Sequence, residues 1–311
     1  MVTRPLPSFD YRPSWLRTVS GRLAIAGADG FIGSHVAAAA LAAGAEVVGL
    51  CSNDPWRLTP LEERGLELAE LSAGLPEADA VAVLSYEPPR SGTDALEHEL
   101  SVNTARSVVL AEEARRMGAR VVFSSSADVY GPRHEEPVSE KAPPEPLTPY
   151  ARAKLAAEEQ LRELSDEPGA CVSLRIATVF GPSEHAARAV PAFICALSSG
   201  EEAVVHGDGS DVRDYVYVGD VAGAVVATAF AEELAYAQVN VGSGYGRSTL
   251  DVLHAVANAL GVEPRARFEP SPRAASRVVL DVSRAASTLG FDPYLDFETL
   301  LAEEIRWLRA Q

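Results

Sequence analysis

Cysteine, lysine and long apolar runs are scarce in this chain. Its 311 residues include only three cysteines at scattered positions, which excludes a disulfide-stapled fold and favours reduced thiols. No apolar run is long enough to cross a bilayer, and the first 20 residues hold prolines, arginines and an aspartate where a signal peptide has its apolar core. We therefore expect a soluble, cytoplasmic protein with no membrane partner.

Positive charge is also in short supply. The chain carries 27 basic and 44 acidic residues, a formal net charge of -17, so its surface as a whole repels DNA, RNA and anionic lipid. Nucleic acid is not an expected partner, but a few arginines and a helix N-terminus can still bind phosphate locally. With 47% hydrophobic residues the chain is not disordered, and its length allows one large α/β unit or two intertwined lobes.

From Arg22 onward, short apolar runs alternate with alanine-rich stretches of helical period. The runs predict buried strands at 23–26, 46–50, 80–84, 120–124 and 171–176. The stretches between them predict helices at 32–43, 97–117 and 149–164. This order predicts an α/β fold, a Rossmann-type doubly wound parallel sheet with a smaller C-terminal substrate-binding lobe.

The chain is expected to divide into three parts: an N-terminal extension (1–20), a dinucleotide-binding Rossmann domain (21–181) and a mainly substrate-binding lobe (182–311) intertwined with it. Beyond Gly181-Pro182 we predict helices near 189–197 and 249–260 and short strands near 203–206 and 238–241. The proline-rich stretch 137–149 is predicted as an exposed loop that leads into a helix.

A glycine-rich turn, Gly27-Ala-Asp-Gly30-Phe-Ile-Gly33, joins the first predicted strand to the first predicted helix. The first glycine permits the tight turn, the second lets backbone amides approach a pyrophosphate, and the third lets the helix pack closely on the strand. The helix N-terminus then faces the anion. The motif in this context predicts dinucleotide binding.

The end of the second strand lacks the acid that usually holds the adenosine ribose. That position, 24 residues after Gly27, is Cys51, followed by Ser52 and Asn53. No carboxylate repels a 2′-phosphate there, and Arg57 is close enough in sequence to attract one. NAD and NADP both remain open on these residues, and a small buried residue closing a strand is the alternative interpretation of Cys51.

Tyr150 and Lys154 lie one turn apart on the same face of a predicted helix. An ammonium there, beside the positive nicotinamide ring of an oxidised cofactor, lowers the phenol pKa so that the tyrosinate can act as a base. The predicted strand 120–124 runs into three serines, and a serine at such a strand end can bond a substrate oxygen, although serine runs are also common in turns. Together these residues give a Ser-Tyr-Lys set.

With these motifs, the sequence resembles the extended short-chain dehydrogenase/reductases of the NAD-dependent epimerase/dehydratase type, which act on nucleotide-diphosphate sugars. The resemblance runs from about Arg22 to about Pro293. Further matching segments are Ser101-Val-Asn103-Thr, Leu174 through Pro182, Gly207 through Asp220, Asn240 through Gly244, and Arg273 ahead of Leu280-Asp281. It implies a Rossmann lobe, a small substrate lobe, NAD as the cofactor and a homodimer packed through two helices of each subunit.

The resemblance also implies roles for individual residues. Ser126 polarises the substrate oxygen, Tyr150 is the general acid/base, and Lys154 binds the nicotinamide ribose and tunes Tyr150. Asp128 is a further catalytic candidate, with a role in the turn as the alternative. The implied cofactor contacts are Gly27, Gly30, Phe31, Ile32, Gly33, Cys51, Ser52, Asn53, Glu70, Leu84, Asn103, Tyr150 and Lys154. The implied substrate contacts are Ser85, Ser126, Tyr150, Thr178, Arg213 and Arg273, the two arginines as a diphosphate clamp.

The departures from the family pattern lie on the substrate side. Dehydratases carry an Asp-Glu pair after the catalytic hydroxyl residue, and here those positions are Ala127 and Asp128, which disfavours water elimination. Thr178 stands where the family has an asparagine, and Ala275-Ser276 where it has glycine and an acid. A small residue after the serine resembles the 4-epimerases and some 4-ketoreductases.

The leading functional hypothesis is a nucleotide-diphosphate-sugar epimerase that oxidises its substrate transiently with bound NAD. An NAD(P)H-dependent ketoreductase is the alternative, with Cys51 as its best support, and a non-catalytic dinucleotide-sensing protein is a third. The six histidines have no metal-ligand spacing, so no metal is expected.

Overall fold

In a computed structural model of the chain, the structure describes residues 12–89, 93–132, 137–164, 167, 169–271, 275–294 and 296–310. Its strands are β1 (Arg22–Ala26), β2 (Glu46–Cys51), β3 (Glu67–Glu70), β4 (Ala80–Val83), β5 (Arg120–Ser126), β6 (Cys171–Ile176), β7 (Thr178–Phe180), β8 (Ala203–His206), β9 (Val212–Tyr217), β10 (Gln238–Val241), β11 (Gly246–Ser248), β12 (Ala266–Glu269) and β13 (Arg277–Val278).

The α-helices are α1 (Phe31–Ala43), α2 (Thr59–Glu62), α3 (Ala95–His98), α4 (Ala105–Arg116), α5 (Pro149–Glu163), α6 (Ala189–Ser198), α7 (Val218–Ala229), α8 (Thr249–Leu260), α9 (Ser283–Leu289) and α10 (Phe297–Arg309). Leu71–Ala73 and Ala127–Tyr130 form 3₁₀ turns, and Glu99–Thr104 is a π-helical segment. No helix in the described ranges has the length and apolarity to cross a bilayer.

Among the described residues, the largest sheet has seven strands in the order β10-β6-β5-β4-β1-β2-β3, all parallel. Its central strands β1, β4 and β6 are almost wholly buried, as expected for near-continuous apolar runs with helices on both faces. Because every strand points the same way, their carboxyl ends meet at one edge, where ligands bind in such sheets. The predicted Rossmann-type fold is confirmed.

The remaining strands form small sheets beside the large one. β9 lies between β11 and β13 and also pairs with β7, while β8 pairs with β12. The chain then returns to the large sheet, where β10 pairs with β6 at the edge and α7 packs against α1. The segment before β1 packs against α7, since the Trp15 indole donates to Asp220 of that helix at 3.4 Å. The Trp15 ring also meets the Phe291 ring edge-on.

The predicted continuous helix 97–117 is wrong in one respect. The structure divides it into α3, the π-helical segment and α4. Within the π-helical segment, the Asn103 amide donates to the buried Glu99 carboxylate at 3.0 Å. The π-helical segment itself was not predicted, because helical periodicity does not record tertiary packing.

Candidate active site

Two glycines of the turn between β1 and α1 have no room for a side chain. Gly27 has φ +88°, and a Cβ there would lie 2.7 Å from the Ser85 Cα; a Cβ on Gly33 would lie 2.1 Å from the Gly27 carbonyl oxygen. No side chain caps α1 at Gly30, so the backbone N–H groups of its first turn are left for another acceptor. The predicted contacts Phe31 and Ile32 open this helix. The cradle fits a pyrophosphate.

The end of β2 is organised by a residue inside the glycine turn. The buried Asp29 carboxylate accepts hydrogen bonds from the backbone N–H and the side-chain amide of Asn53, at 2.9 and 3.2 Å. Cys51 lies opposite Glu70 in the register of β2 and β3. Burial, then the charge of Asp29, raises the pKa of the Cys51 thiol to about 11. The predicted adenosine contacts thus share one sheet edge, with a neutral thiol in place of an acid.

The loop after β4 lies against the glycine turn. The Leu84 N–H donates to the Ala26 carbonyl at 2.9 Å, and the buried Ser85 hydroxyl oxygen has no hydrogen-bond partner among the described residues. Asn103 fixes the end of this loop, because its side chain accepts from the Glu87 N–H at 2.8 Å and donates to the Glu87 carbonyl at 2.9 Å. Asn103 is therefore a positioning residue here, and its direct contact with a cofactor stays a prediction.

The three serines at the end of β5 have different partners, and side-chain alternation turns Ser125 to the opposite face from Ser124 and Ser126. The Ser124 carbonyl accepts from Lys154, and the Ser125 hydroxyl bonds the buried Glu158. Ser126 caps the following 3₁₀ turn, where its hydroxyl accepts from the Asp128 N–H at 3.2 Å. Ser126 is the serine whose hydroxyl interacts with the Tyr150 phenol.

Tyr150 and Lys154 lie on the first turns of α5. Pro149 opens this helix and the Thr148 hydroxyl caps it, accepting from the Ala151 N–H at 3.1 Å. The Lys154 Nζ donates to the Ser124 carbonyl at 2.7 Å and lies 5.6 Å from the centre of the Tyr150 ring. Burial lowers the pKa of Lys154 to about 8, against the opposing charges of Glu99 and Glu158. The structure thus brings the predicted Ser-Tyr-Lys set together.

The environment of Tyr150 favours the neutral phenol. Burial and then the Asp128 charge raise its pKa to about 12, while Arg188 and the Ser126 hydroxyl lower it. Arg188, at the N-terminus of α6, is a cation that lowers this pKa, and the tuning of Tyr150 by Lys154 stays a prediction. The positive ring of an oxidised dinucleotide adds a further charge that favours the tyrosinate.

A buried acid beside Tyr150 is absent from the sequence predictions. The Glu99 carboxylate accepts from the Tyr86 hydroxyl at 2.8 Å, and the Tyr86 ring meets the Tyr150 ring edge-on at 5.6 Å. The spacing of four residues between Glu99 and Asn103 was the available signal, because it places both on one helical face. Through Tyr86, Glu99 connects the π-helical segment to Tyr150, the predicted general base.

The predicted substrate contacts are only partly described. Thr178 opens β7 opposite Tyr215 of β9 and is half-buried. The Arg213 guanidinium donates to the Ser276 hydroxyl at 2.7 Å and lies 3.5 Å from the Asp211 carboxylate. Arg273 lies outside the described residues. The diphosphate clamp therefore stays a prediction.

A parallel sheet with a phosphate cradle and a Ser-Tyr-Lys set at its carboxyl edge defines a dinucleotide-dependent enzyme fold. The model of the NAD-dependent epimerase/dehydratase family matches residues 23–242. The chain belongs to this family, as its motifs predicted.

Three proteins are similar to this chain over nearly their whole length, one by sequence and two by solved structure. The UDP-glucose 4-epimerase of Mycolicibacterium smegmatis is 34% identical, over 93% of this chain and 98% of that protein. The UDP-N-acetylglucosamine 4-epimerase of Methanobrevibacter ruminantium, solved with UDP-N-acetylmuramic acid, is 26% identical with a TM-score of 0.83, over 94% of this chain and 99% of that one. MoeE5, solved with UDP-glucose and NAD, is 28% identical with a TM-score of 0.80, over 93% and 99%.

Proposed function

We propose that the protein is an NAD-dependent nucleotide-diphosphate-sugar epimerase, acting on carbon 4 of a UDP-sugar. The observation that carries this proposal is the assembly of Ser126, Tyr150 and Lys154 beside an intact glycine cradle. The missing acid after Ser126, where Ala127 stands, argues against a dehydratase. The relatives named as UDP-sugar 4-epimerases over nearly their whole length support the reaction and the UDP group.

The chain's own residues supply proton transfer and orientation. Tyr150 as tyrosinate takes the proton of the sugar hydroxyl and returns it when the carbonyl is reduced again. Ser126 bonds the same oxygen while its charge changes, and Lys154, held by the Ser124 carbonyl, keeps a cation near the phenol. NAD, which the glycine turn and Lys154 would hold, would supply reversible hydride transfer at the sugar carbon. If the keto-sugar rotates in the pocket between the two steps, its carbonyl is reduced from the other face. The hydroxyl configuration then inverts with no net oxidation.

Cofactor identification separates this proposal from its closest alternative. The protein is purified without added cofactor and denatured, and the released nucleotide is identified by mass spectrometry. Stoichiometric NAD supports the epimerase, because its hydride stays within one site. An empty site that then binds NADPH selectively would support the ketoreductase instead, for which the neutral Cys51 is the structural argument.

Replacement of the base tests whether the protein is a catalyst. We expect Tyr150→Phe to lower kcat for UDP-glucose epimerisation by about 100-fold or more, the range of general acid-base catalysis. Dinucleotide binding should persist, because the cradle and Lys154 are untouched. A variant as active as the parent would contradict the proposal.

We also propose a homodimer formed through α4 and α5. Val109 of α4 leaves 58% of its surface exposed, and the neighbouring Leu100 and Met117 are also exposed. Val109→Asp should convert the dimer to a monomer in light scattering, whereas Val262→Asp, which changes an exposed valine elsewhere, should not. A chain that is monomeric before substitution would refute the dimer.

The compartment that we propose is the cytoplasm. Cys51, Cys171 and Cys195 are all unpaired, which supports a reducing environment. Fractionation of the native host should recover the protein with cytoplasmic markers, and recovery from a secreted fraction would contradict this.

A further inference from the structure

The loop after β7 is fastened to the dinucleotide-binding side of the molecule at three points. Arg57 Nε donates to the Ser183 hydroxyl at 2.5 Å, and Arg57 Nη1 donates to the Asp29 carbonyl at 3.2 Å. The buried His35 ring contacts the Pro182 carbonyl through Nε2 at 2.9 Å. No sequence pattern indicates these contacts, because Arg57 and Ser183 are 126 residues apart.

These contacts span the place where a dinucleotide pyrophosphate would lie. Asp29 belongs to the glycine turn, His35 lies one turn into α1, and Arg57 follows the adenosine-side end of β2. Pro182 and Ser183 belong to the segment that leads into α6. The Arg57–Ser183 bond therefore joins the segment after β2 to the segment after β7, beside the glycine turn that precedes α1, and the N-terminus of such a helix attracts an anion.

We propose that Arg57 and Ser183 form a clasp over the pyrophosphate edge of the cofactor cleft, and that this clasp retains the dinucleotide between turnovers. The proposal rests on the proposed function, because an epimerase must return the hydride within the same site. Arg57 and Ser183 act here as positioning residues. Their bond must break before the dinucleotide leaves along this edge.

The backbone at Ser183 supports the clasp. Ser183 is the only residue other than glycine with a positive φ (+78°) in the described part of the chain, and it is 1% exposed. A serine in this sparsely populated conformation costs free energy and persists only where its surroundings hold it in place. The surroundings here are Arg57 and the His35–Pro182 contact. These contacts therefore hold the segment against the glycine turn and α1.

His35 and Trp56 keep the clasp in one state at neutral pH. Burial lowers the pKa of His35 to about 4, so its ring is neutral, and Nε2 must carry the hydrogen because the Pro182 carbonyl only accepts. The Arg57 guanidinium lies 4.5 Å from the centre of the Trp56 ring, which orients its planar face. Arg57 is thus directed toward Ser183 and Asp29, although its position after β2 had suggested a 2′-phosphate.

The test measures dinucleotide release and needs no catalytic turnover. Full-length protein and its Arg57→Ala and Ser183→Ala variants are loaded with NAD and passed through gel filtration, and the retained NAD is quantified by mass spectrometry at timed intervals. We expect both variants to release NAD about tenfold faster or more, since each loses a hydrogen bond to a charged donor. Arg267→Ala, which removes an exposed arginine of β12, should leave the release rate unchanged.

Ser183→Ala is the decisive variant, because it removes the acceptor and leaves the Arg57 charge in place. Fast release from Arg57→Ala alone would overturn the clasp and make Arg57 a direct phosphate ligand. The clasp would also be overturned if the variants bound NADP more weakly and NAD as well as the parent does, because Arg57 would then serve a 2′-phosphate site. Melting temperatures of both variants identify any that fail to fold. Equal retention of NAD by the parent, both clasp variants and the control would overturn the clasp and leave the proposed function intact. If the parent binds no NAD at all, the proposed function itself fails.

Discussion

Arg175 of β6 and Glu158 of α5 form a buried, two-pronged ion pair beneath the Ser-Tyr-Lys set. The guanidinium donates to both carboxylate oxygens at 2.6 to 3.2 Å, and the Ser125 hydroxyl bonds the same carboxylate. Both charged side chains are almost fully buried. Because Glu158 follows Lys154 by one helical turn, the pair fixes the helix that carries the base.

Breaking this pair should destabilise the protein strongly. Glu158→Ala leaves the Arg175 charge buried without its carboxylate, and we expect the free energy of unfolding to fall by about 3 to 5 kcal/mol. Urea denaturation measures the change. Arg267→Ala is the matched control, because it removes an exposed partner of Glu269 at 3.0 Å and should cost less than about 1 kcal/mol. Equal losses in the two variants would contradict the argument.

Asp128 should control the pH dependence of catalysis. Its charge raises the pKa of Tyr150, so Asp128→Asn should lower that pKa. Because the tyrosinate is the base, the rising limb of kcat/KM against pH should move to lower pH in this variant. Asp292→Asn, which removes a charge at an exposed position, should leave the limb in place. No movement with Asp128→Asn would show that this carboxylate does not act on the base.

Two buried acids should make stability depend on pH. Burial raises the pKa of Glu184 to about 8 and that of Glu304 well above its ordinary value, and each carboxyl also acts on the other, so the pair holds at least one proton in the folded protein at neutral pH. The unfolded chain ionises them near pH 4.5, so their contribution is complete below that pH and declines as pH rises toward 8. Each proton that the folded protein keeps and the unfolded chain releases contributes a slope of about 1.4 kcal/mol per pH unit in this window.

Glu304→Gln tests this dependence directly. The amide cannot ionise, so the variant should lose less stability than the parent between pH 5 and pH 8. The difference in slope should be about 1.4 kcal/mol per pH unit, the contribution of one proton. Denaturation at several pH values gives both curves. Glu298→Gln, on the exposed first turn of the same helix, should follow the parent curve. Parallel curves for parent and Glu304→Gln would mean that Glu304 is ionised when folded.

Cys51 should set the tolerance for a 2′-phosphate. Cys51→Asp places a carboxylate at the end of β2, and we expect it to weaken NADP binding by about tenfold or more while NAD binding persists. Cys51→Ser is the control, because it replaces the thiol with another small neutral group. Calorimetric titration with both dinucleotides measures the effect. Equal losses for NAD and NADP would place the adenosine ribose away from this position.

Much of the large sheet was predictable because its strands are buried on both faces and read as short apolar runs. The predicted strand 171–176 coincides with β6, and the predicted helix 149–164 differs from α5 by one residue. The helix α7 had no prediction. Its sequence holds two glycines and four valines, which lower helix propensity, and it is helical because nearly every residue is buried.

The sequence alone determined the chemistry that depends on short spacing. Three glycines within seven residues make a phosphate cradle, and a phenol four residues before an ammonium shares a helical face with it, whatever surrounds them. Only the tertiary structure decided how strongly Asp128, Arg188 and Glu99 act on Tyr150, and that Arg57 bonds Ser183. Charge interactions and hydrogen bonds depend on distance in space, and folding brings together residues that are far apart along the chain.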